Sequence, residues 1–174
     1  MNYDAIYNNT VRCCKICNGT GTVTISATEV KFCTCMQQYI FIIKMTELGV
    51  PLSYIFSYQK AITTNPASSS KSMFIFQNDT VSFNIFMTLV EEGKNMILKD
   101  SVNMFTMNDY SDLDGVMVYN LGLETFQNNS IVLYRIMKEA EDRHLTGIFS
   151  FAISKENLNK YYLDFVKKKI ESNG

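Results

Sequence analysis

The chain has 174 residues, with 16 lysines and arginines against 17 aspartates and glutamates and a formal net charge of −1. Apolar residues make up 47% of it, which excludes overall disorder and supplies a core for one ordinary domain or for a small module beside a compact one. The even charge balance excludes a globally basic nucleic-acid binder, and the longest apolar run, Tyr39–Ile43, is far too short to span a bilayer.

The first nine residues, MNYDAIYNN, lack the basic and apolar regions of a signal peptide, so a soluble intracellular protein is expected. The N-x-S/T triplets at Asn8, Asn18, Asn78 and Asn128 then follow from an Asn-rich composition and are not glycan sites.

All five cysteines precede residue 36. In a reducing compartment such clustering favours a metal over disulfides. Cys14-Lys-Ile-Cys17-Asn-Gly-Thr-Gly21 offers two sulfurs from one tight turn, with glycine relaxing the backbone behind it. A hairpin, Thr22–Ser26 out and Glu29–Phe32 back, leads to a tighter second pair, Cys33 and Cys35. The expected metal ligands are therefore Cys14, Cys17, Cys33 and Cys35. The ion is expected to be a structural Zn2+, because four sulfurs fill a tetrahedral shell and leave no position for water. Cys13 is left over, as a buried thiol or an alternative ligand. A catalytic thiol is disfavoured because the only histidine, His144, lies over a hundred residues away; in its polar stretch His144 reads as a helix-end residue.

Met36–Leu48 carries Tyr39, Ile40, Ile43 and Leu48 at near-helical spacing, with Gly49 as its cap and Pro51 preventing continuation. Val50–Phe56 reads as a short aromatic turn or helix. Residues 63–72, TTNPASSSKS, have the composition of a linker. Beyond them strands and helices alternate. Strands are expected at Met73–Phe76, Met96–Leu98, Val102–Met107, Val116–Tyr119 and Gly147–Ile153. Helices are expected at Val81–Glu92, capped by Asp79 or Thr80, at Ser130–His144 and at Ser154–Ile170. That alternation predicts an α/β fold with a mostly parallel sheet. The expected division is a zinc-binding hairpin-and-helix module over 1–62, a linker over 63–72, and an α/β domain over 73–174.

A P-loop nucleotide site needs a Gly-rich loop, a lysine and a carboxylate ending a later strand. The loop after Phe76, Gln77-Asn-Asp-Thr-Val-Ser-Phe83, has neither glycine nor lysine, and Asp79 puts a carboxylate where triphosphate would sit. The strand Val116–Tyr119 continues into Asn120-Leu121-Gly122 with no carboxylate at its tip. ATP binding and hydrolysis are not expected, and no catalytic residue is assigned.

The order Cys14, Cys17, Gly19, Gly21, Cys33, Cys35, a helix, and then Gly49-Val50-Pro51-Leu52-Ser53-Tyr54 resembles the DnaC/DnaI-type helicase loaders of bacteria and phages. These are AAA+ proteins whose N-terminal part grips the replicative helicase. Residues 114–124 are similar to that family's second nucleotide motif, with Leu121 and Gly122 kept and Tyr119 and Asn120 in place of its two acids. Ile148–Ser154 resembles the sensor strand without its asparagine, and the chain ends near where the family would supply its arginine finger and lid. The resemblance implies a truncated P-loop/AAA+-like domain and a non-catalytic replication adaptor, encoded by a phage or mobile element and acting in the cytoplasm of a bacterial host. It would bind a replicative helicase or another replisome protein without ATP.

Tyr39, Phe41, Lys44, Tyr54, Phe56 and Tyr58 are the candidate anchors for that partner, in competition with ordinary core packing. Lys167–Lys169 could make a weak DNA contact, or simply cap a helix dipole. Two other readings are a zinc ribbon serving transcription or recombination on nucleic acid, and an enzyme using Asp109, Asp112 and Asp114 around a hard cation. Only Arg12, Lys15 and Lys31 surround the cysteines, a thin footprint for the former.

Overall fold

In a computed structural model the described residues are 2–60, 73–103, 112–123, 129–157 and 162–173. The expected linker, Asp109, Glu124 and most of Val102–Met107 lie outside them. The chain divides into two compact units, Met1–Ile55 and Phe56–Gly174. None of the described helices is long and apolar enough to cross a membrane.

The first unit opens with helix α1 (Tyr3–Tyr7), whose N-terminus is capped by the Asn2 side chain, and runs on as a wider π-helical turn over Asn8–Arg12. An antiparallel hairpin follows, β1 (Thr22–Ser26) and β2 (Glu29–Phe32), then helices α2 (Thr34–Glu47) and α3 (Leu52–Phe56). Helix α2 buries Cys35, Ile42 and Met45. Of the apolar face expected from sequence, Tyr39, Ile43 and Leu48 are half-buried and Ile40 is exposed. The stripe is rotated because Cys35, read from sequence only as a ligand, is also a core residue. At the end of α2, Val50 N–H reaches Met45 O (3.0 Å) and Gly49 N–H reaches Thr46 O (2.9 Å), with Gly49 at φ +87°. This is the left-handed cap that glycine makes without a Cβ clash.

The second unit is a four-stranded, all-parallel sheet in the order β3-β6-β5-β4: β3 (Met73–Phe76), β4 (Met96–Asp100), β5 (Gly115–Leu121) and β6 (Thr146–Phe151). Helix α4 (Asp79–Glu91) covers one face; α5 (Asn129–Asp142) and α6 (Asp164–Asn173) pack against the other. The two-residue period sorts the side chains. Val116, Val118, Phe149 and Phe151 join Leu133, Ile136, Met137, Val166 and Ile170 in one core. Tyr119, with its ring edge-on to Phe83 (5.1 Å), and Ser150, bonded to Asp79, face α4. Strands covered on both faces read as near-continuous apolar runs, which is why β5 and β6 stand out in the sequence.

Three expectations are corrected. The cap of α4 is Asn78, whose Oδ1 accepts the Val81 N–H (3.3 Å), and Asp79 is the first helical residue. Val102 and Asn103 belong to a short 3-10 turn after β4, where Val102 N–H bonds the Asp100 carboxylate. The final helix starts at Asp164, after a separate 3-10 turn at Lys155–Asn157, so Ser154–Ile170 is not one helix.

His144 does sit at a helix end. It occupies the left-handed position after α5 (φ +57°), with its N–H on Glu141 O and the Leu145 N–H on Ala140 O (2.7 Å). A side chain there carries strain of about 1 kcal/mol that glycine does not. His144→Gly is accordingly expected to stabilise the second unit by about 1 kcal/mol, read as a higher urea midpoint at unchanged slope; an unchanged or lower midpoint would contradict the assignment.

Candidate metal centre

Three local structures deliver the four sulfurs. Cys14 and Cys17 lie in the turn after the π-helical segment; Cys33 is the N-cap residue of α2, and Cys35 is in its first turn. The first turn is held by Gly19 N–H to Cys14 O and Thr20 N–H to Cys17 O, with the Thr20 hydroxyl on the same Cys17 carbonyl (2.7 Å). Gly19 and Gly21 take φ of +80° and +77°, and Gly21 thereby aims its N–H at the Cys17 sulfur (3.3 Å). A Cβ on Gly21 would stand 2.5 Å from the Met36 tip, in a backbone conformation that already penalises side chains. Cys33 N–H bonds Gly21 O (2.8 Å), so the closing rung of the hairpin ties the second pair to the first.

The sulfurs of Cys14 and Cys33 are 3.8 Å apart, those of Cys17 and Cys35 are 3.5 Å apart, and all four lie within 4.8 Å of one another. Thiolates 2.3 Å from one tetrahedral ion are separated by about 3.8 Å. The set therefore fits a single ion; an iron–sulfur cluster spreads its cysteines over several irons and sets them wider. Among the described residues this is the one grouping of His, Cys, Asp or Glu that could hold a metal. Cys17, Cys33 and Cys35 are buried and Cys14 partly so, together with fully buried Val11 and flanked by Tyr7, Val23, Met36 and Tyr39. Cys13, expected as a buried thiol or alternative ligand, is exposed and outside the tetrad.

Without an ion the thiols share protons unequally. Burial opposes ionisation of Cys17, but the Gly21 and Gly19 N–H groups and the neighbouring thiols outweigh it and bring Cys17 down to about 6. Cys33 is lowered chiefly by the Cys35 N–H. Cys35, penalised by burial and by the sulfurs around it, is pushed up to about 12.

The other candidate residues are dispersed. Tyr39 is half-buried, edge-on to Tyr7 (5.2 Å), within the cysteine core. Phe41 and Tyr54 are half-buried, whereas Lys44 and Phe56 are exposed. The Tyr58 hydroxyl bonds Thr88 and Glu91 on α4 (3.1 Å each). Lys167 and Lys169 form ion pairs with Asp164 and Glu141. Asp114 accepts the Asn95 N–H (2.8 Å) and faces Lys94, while the Asp112 carbonyl takes the Asn95 amide, which makes this acidic turn a structural clasp. Sequence reasoning missed the bond from Ser150 Oγ to Asp79 Oδ1 (2.5 Å); no local signal links residues 71 positions apart.

No protein-family model matches the chain, and no curated protein does either. It aligns with the solution structure of protein NMB1076 from Neisseria meningitidis at 9% identity and a TM-score of 0.45, over 67% of this chain and 85% of that one.

Two outcomes test the ligand set. Cys13→Ser should retain one metal ion per chain, whereas Cys17→Ser should lose it, measured by metal analysis after gel filtration against a mild chelator. The pH dependence carries a sign. Binding must expel the proton that Cys35 holds up to about 12, so affinity should rise roughly tenfold per pH unit or more through neutrality. Below about 6 the slope should steepen as Cys17 also gains a proton in the empty site. Chelator competition across pH reads both; affinity independent of pH would exclude thiol ligation.

Proposed function

We propose that this chain is a non-catalytic replication adaptor related to helicase loaders. A structural Zn2+ on Cys14, Cys17, Cys33 and Cys35 folds its N-terminal module, and a P-loop-like α/β domain serves as a scaffold that does not use nucleotide. A tetrahedral all-sulfur site suits zinc, and four protein ligands leave no open position for chemistry.

The observation that carries the nucleotide-free reading is the corner between β3 and α4. A phosphate-binding loop would present backbone N–H groups and a lysine here. Instead Asn78 caps the helix with its own side chain, and the adjacent Asp79 carboxylate is taken by Ser150 at the end of β6. A chain carboxylate thus stands at the helix N-terminus, where an incoming triphosphate would meet repulsion. At the tip of β5, Asn120 spends its side chain on Asp100 (3.3 Å) and its carbonyl on the Ser101 hydroxyl (2.6 Å). The cysteine order and the Gly49-Val50-Pro51 turn support the loader relationship; Phe56 and the helices beside the cysteines are its candidate grip.

Titration of the zinc-loaded chain into a purified bacterial replicative helicase tests this reading. Binding is expected with equal affinity in the presence and absence of Mg-ATP, and with at least tenfold loss for Cys17→Ser. Saturable ATP binding or turnover by the chain itself would remove the non-catalytic reading. Recovery of RNA polymerase with no helicase or primosome component in a pull-down would favour the transcription-accessory alternative.

A further inference from the structure

The hairpin leaves the outer edge of β2 unpaired among the described strands. Its sheet has only two strands, β1 and β2, and all four residues of β2 are exposed, with Val30 at 61% and Phe32 at 56%. The bond from Cys33 N–H to Gly21 O makes Gly21–Cys33 a hydrogen-bonded pair of the ladder, and the register runs Thr22–Phe32, Val23–Lys31, Thr24–Val30. Hydrogen-bonded and non-hydrogen-bonded pairs alternate in an antiparallel ladder. Lys31 therefore turns its backbone groups toward β1, while Val30 and Phe32 turn their N–H and C=O outward, to an edge that no described strand occupies.

We propose that β2 is a homodimerisation edge, pairing antiparallel with β2 of a second copy about a two-fold axis at Val30. In that register Val30 and its symmetry mate exchange two backbone hydrogen bonds. The next position sets Glu29 opposite Lys31 of the second copy and Lys31 opposite the second Glu29. These are non-hydrogen-bonded pairs, whose side chains approach most closely, at about 4.5 Å between Cα atoms. Among the described residues neither Glu29 nor Lys31 has an ion-pair partner within its own chain. The sequence Glu-Val-Lys is self-complementary only in this antiparallel sense, as an isologous contact requires. The opposite face gains a continuous apolar strip, Phe32–Val30–Val30–Phe32, beside the groove lined by Thr22, Val30, Lys31, Phe32 and Gln37. β1 offers no such edge: it carries no charge, and Thr22 and Val23 are already half-buried. A ladder this short buries little area, so the dimer is weak and concentration-dependent. The competing role for charges on an edge is to keep it unpaired.

Sedimentation equilibrium of the full zinc-loaded chain separates the two roles. The expected result is a reversible dimer whose fraction rises with concentration up to about 1 mM. Glu29→Lys and Lys31→Glu should each weaken self-association by roughly tenfold or more, because each puts like charges opposite one another. The double swap should restore it, and an equimolar mixture of the two single variants should associate with each other. Val30→Pro, which removes an outward N–H and leaves the β1 rungs intact, should abolish the dimer. One zinc per chain in every variant shows that the hairpin has kept its fold. A monomeric wild-type chain at the highest concentration, a dimer that survives Val30→Pro, or a double swap that stays as weak as the single variants would each overturn the proposal.

Discussion

The first unit is built around four sulfurs that converge within 4.8 Å. A module this small buries few large side chains: Val11, Ile42, Met45, Val50 and Ile55 apart from the cysteines. Such a core is marginal without a cross-link. Its secondary structure is arranged to bring the ligands together. The π-helical turn ends beside Cys14, the positive-φ glycines turn N–H groups onto Cys17, and the hairpin closes on the Gly21–Cys33 rung just where α2 begins. Burial, and after it the sulfurs around it, push Cys35 up to about 12, and an ion at this point would offset both by neutralising the thiolates. Binding free energy and folding free energy are then one quantity.

The second unit is held by apolar packing: its parallel sheet is covered by α4 on one face and by α5 and α6 on the other. The carboxyl ends of its strands are where an α/β sheet usually receives a ligand. Among the described residues, polar groups at those ends bond one another: Ser150 to Asp79, Asn120 to Asp100, Ser101 to the Asn120 carbonyl. The proposal of a nucleotide-free scaffold rests on these contacts.

How much of this could be read from the sequence follows from which forces are local. The cysteine spacing, the hairpin between the pairs, the Gly49 turn and the buried strands β5 and β6 are written in short-range pattern, and the structure has them. The apolar spacing of α2 does not reveal its buried face, because Cys35 serves as a core residue as well as a candidate ligand. Amphipathic spacing continues through Ser154–Asn157, where the chain makes a separate 3-10 turn, so it overstates the last helix. Asp79 is legible as hostile to phosphate, but its partner Ser150 lies on a distant strand that only the fold brings near. The free edge of β2 was equally invisible, since which backbone groups point outward depends on the parity of the ladder set at Gly21 and Cys33.

X-ray absorption at the zinc edge, on protein purified without chelator, tests the central claim most directly. The expected spectrum has one zinc per chain with four sulfur neighbours at about 2.3 Å and no metal–metal distance. Nitrogen or oxygen in the first shell, a second metal nearby, or a chain that folds its N-terminal module without any metal would contradict it.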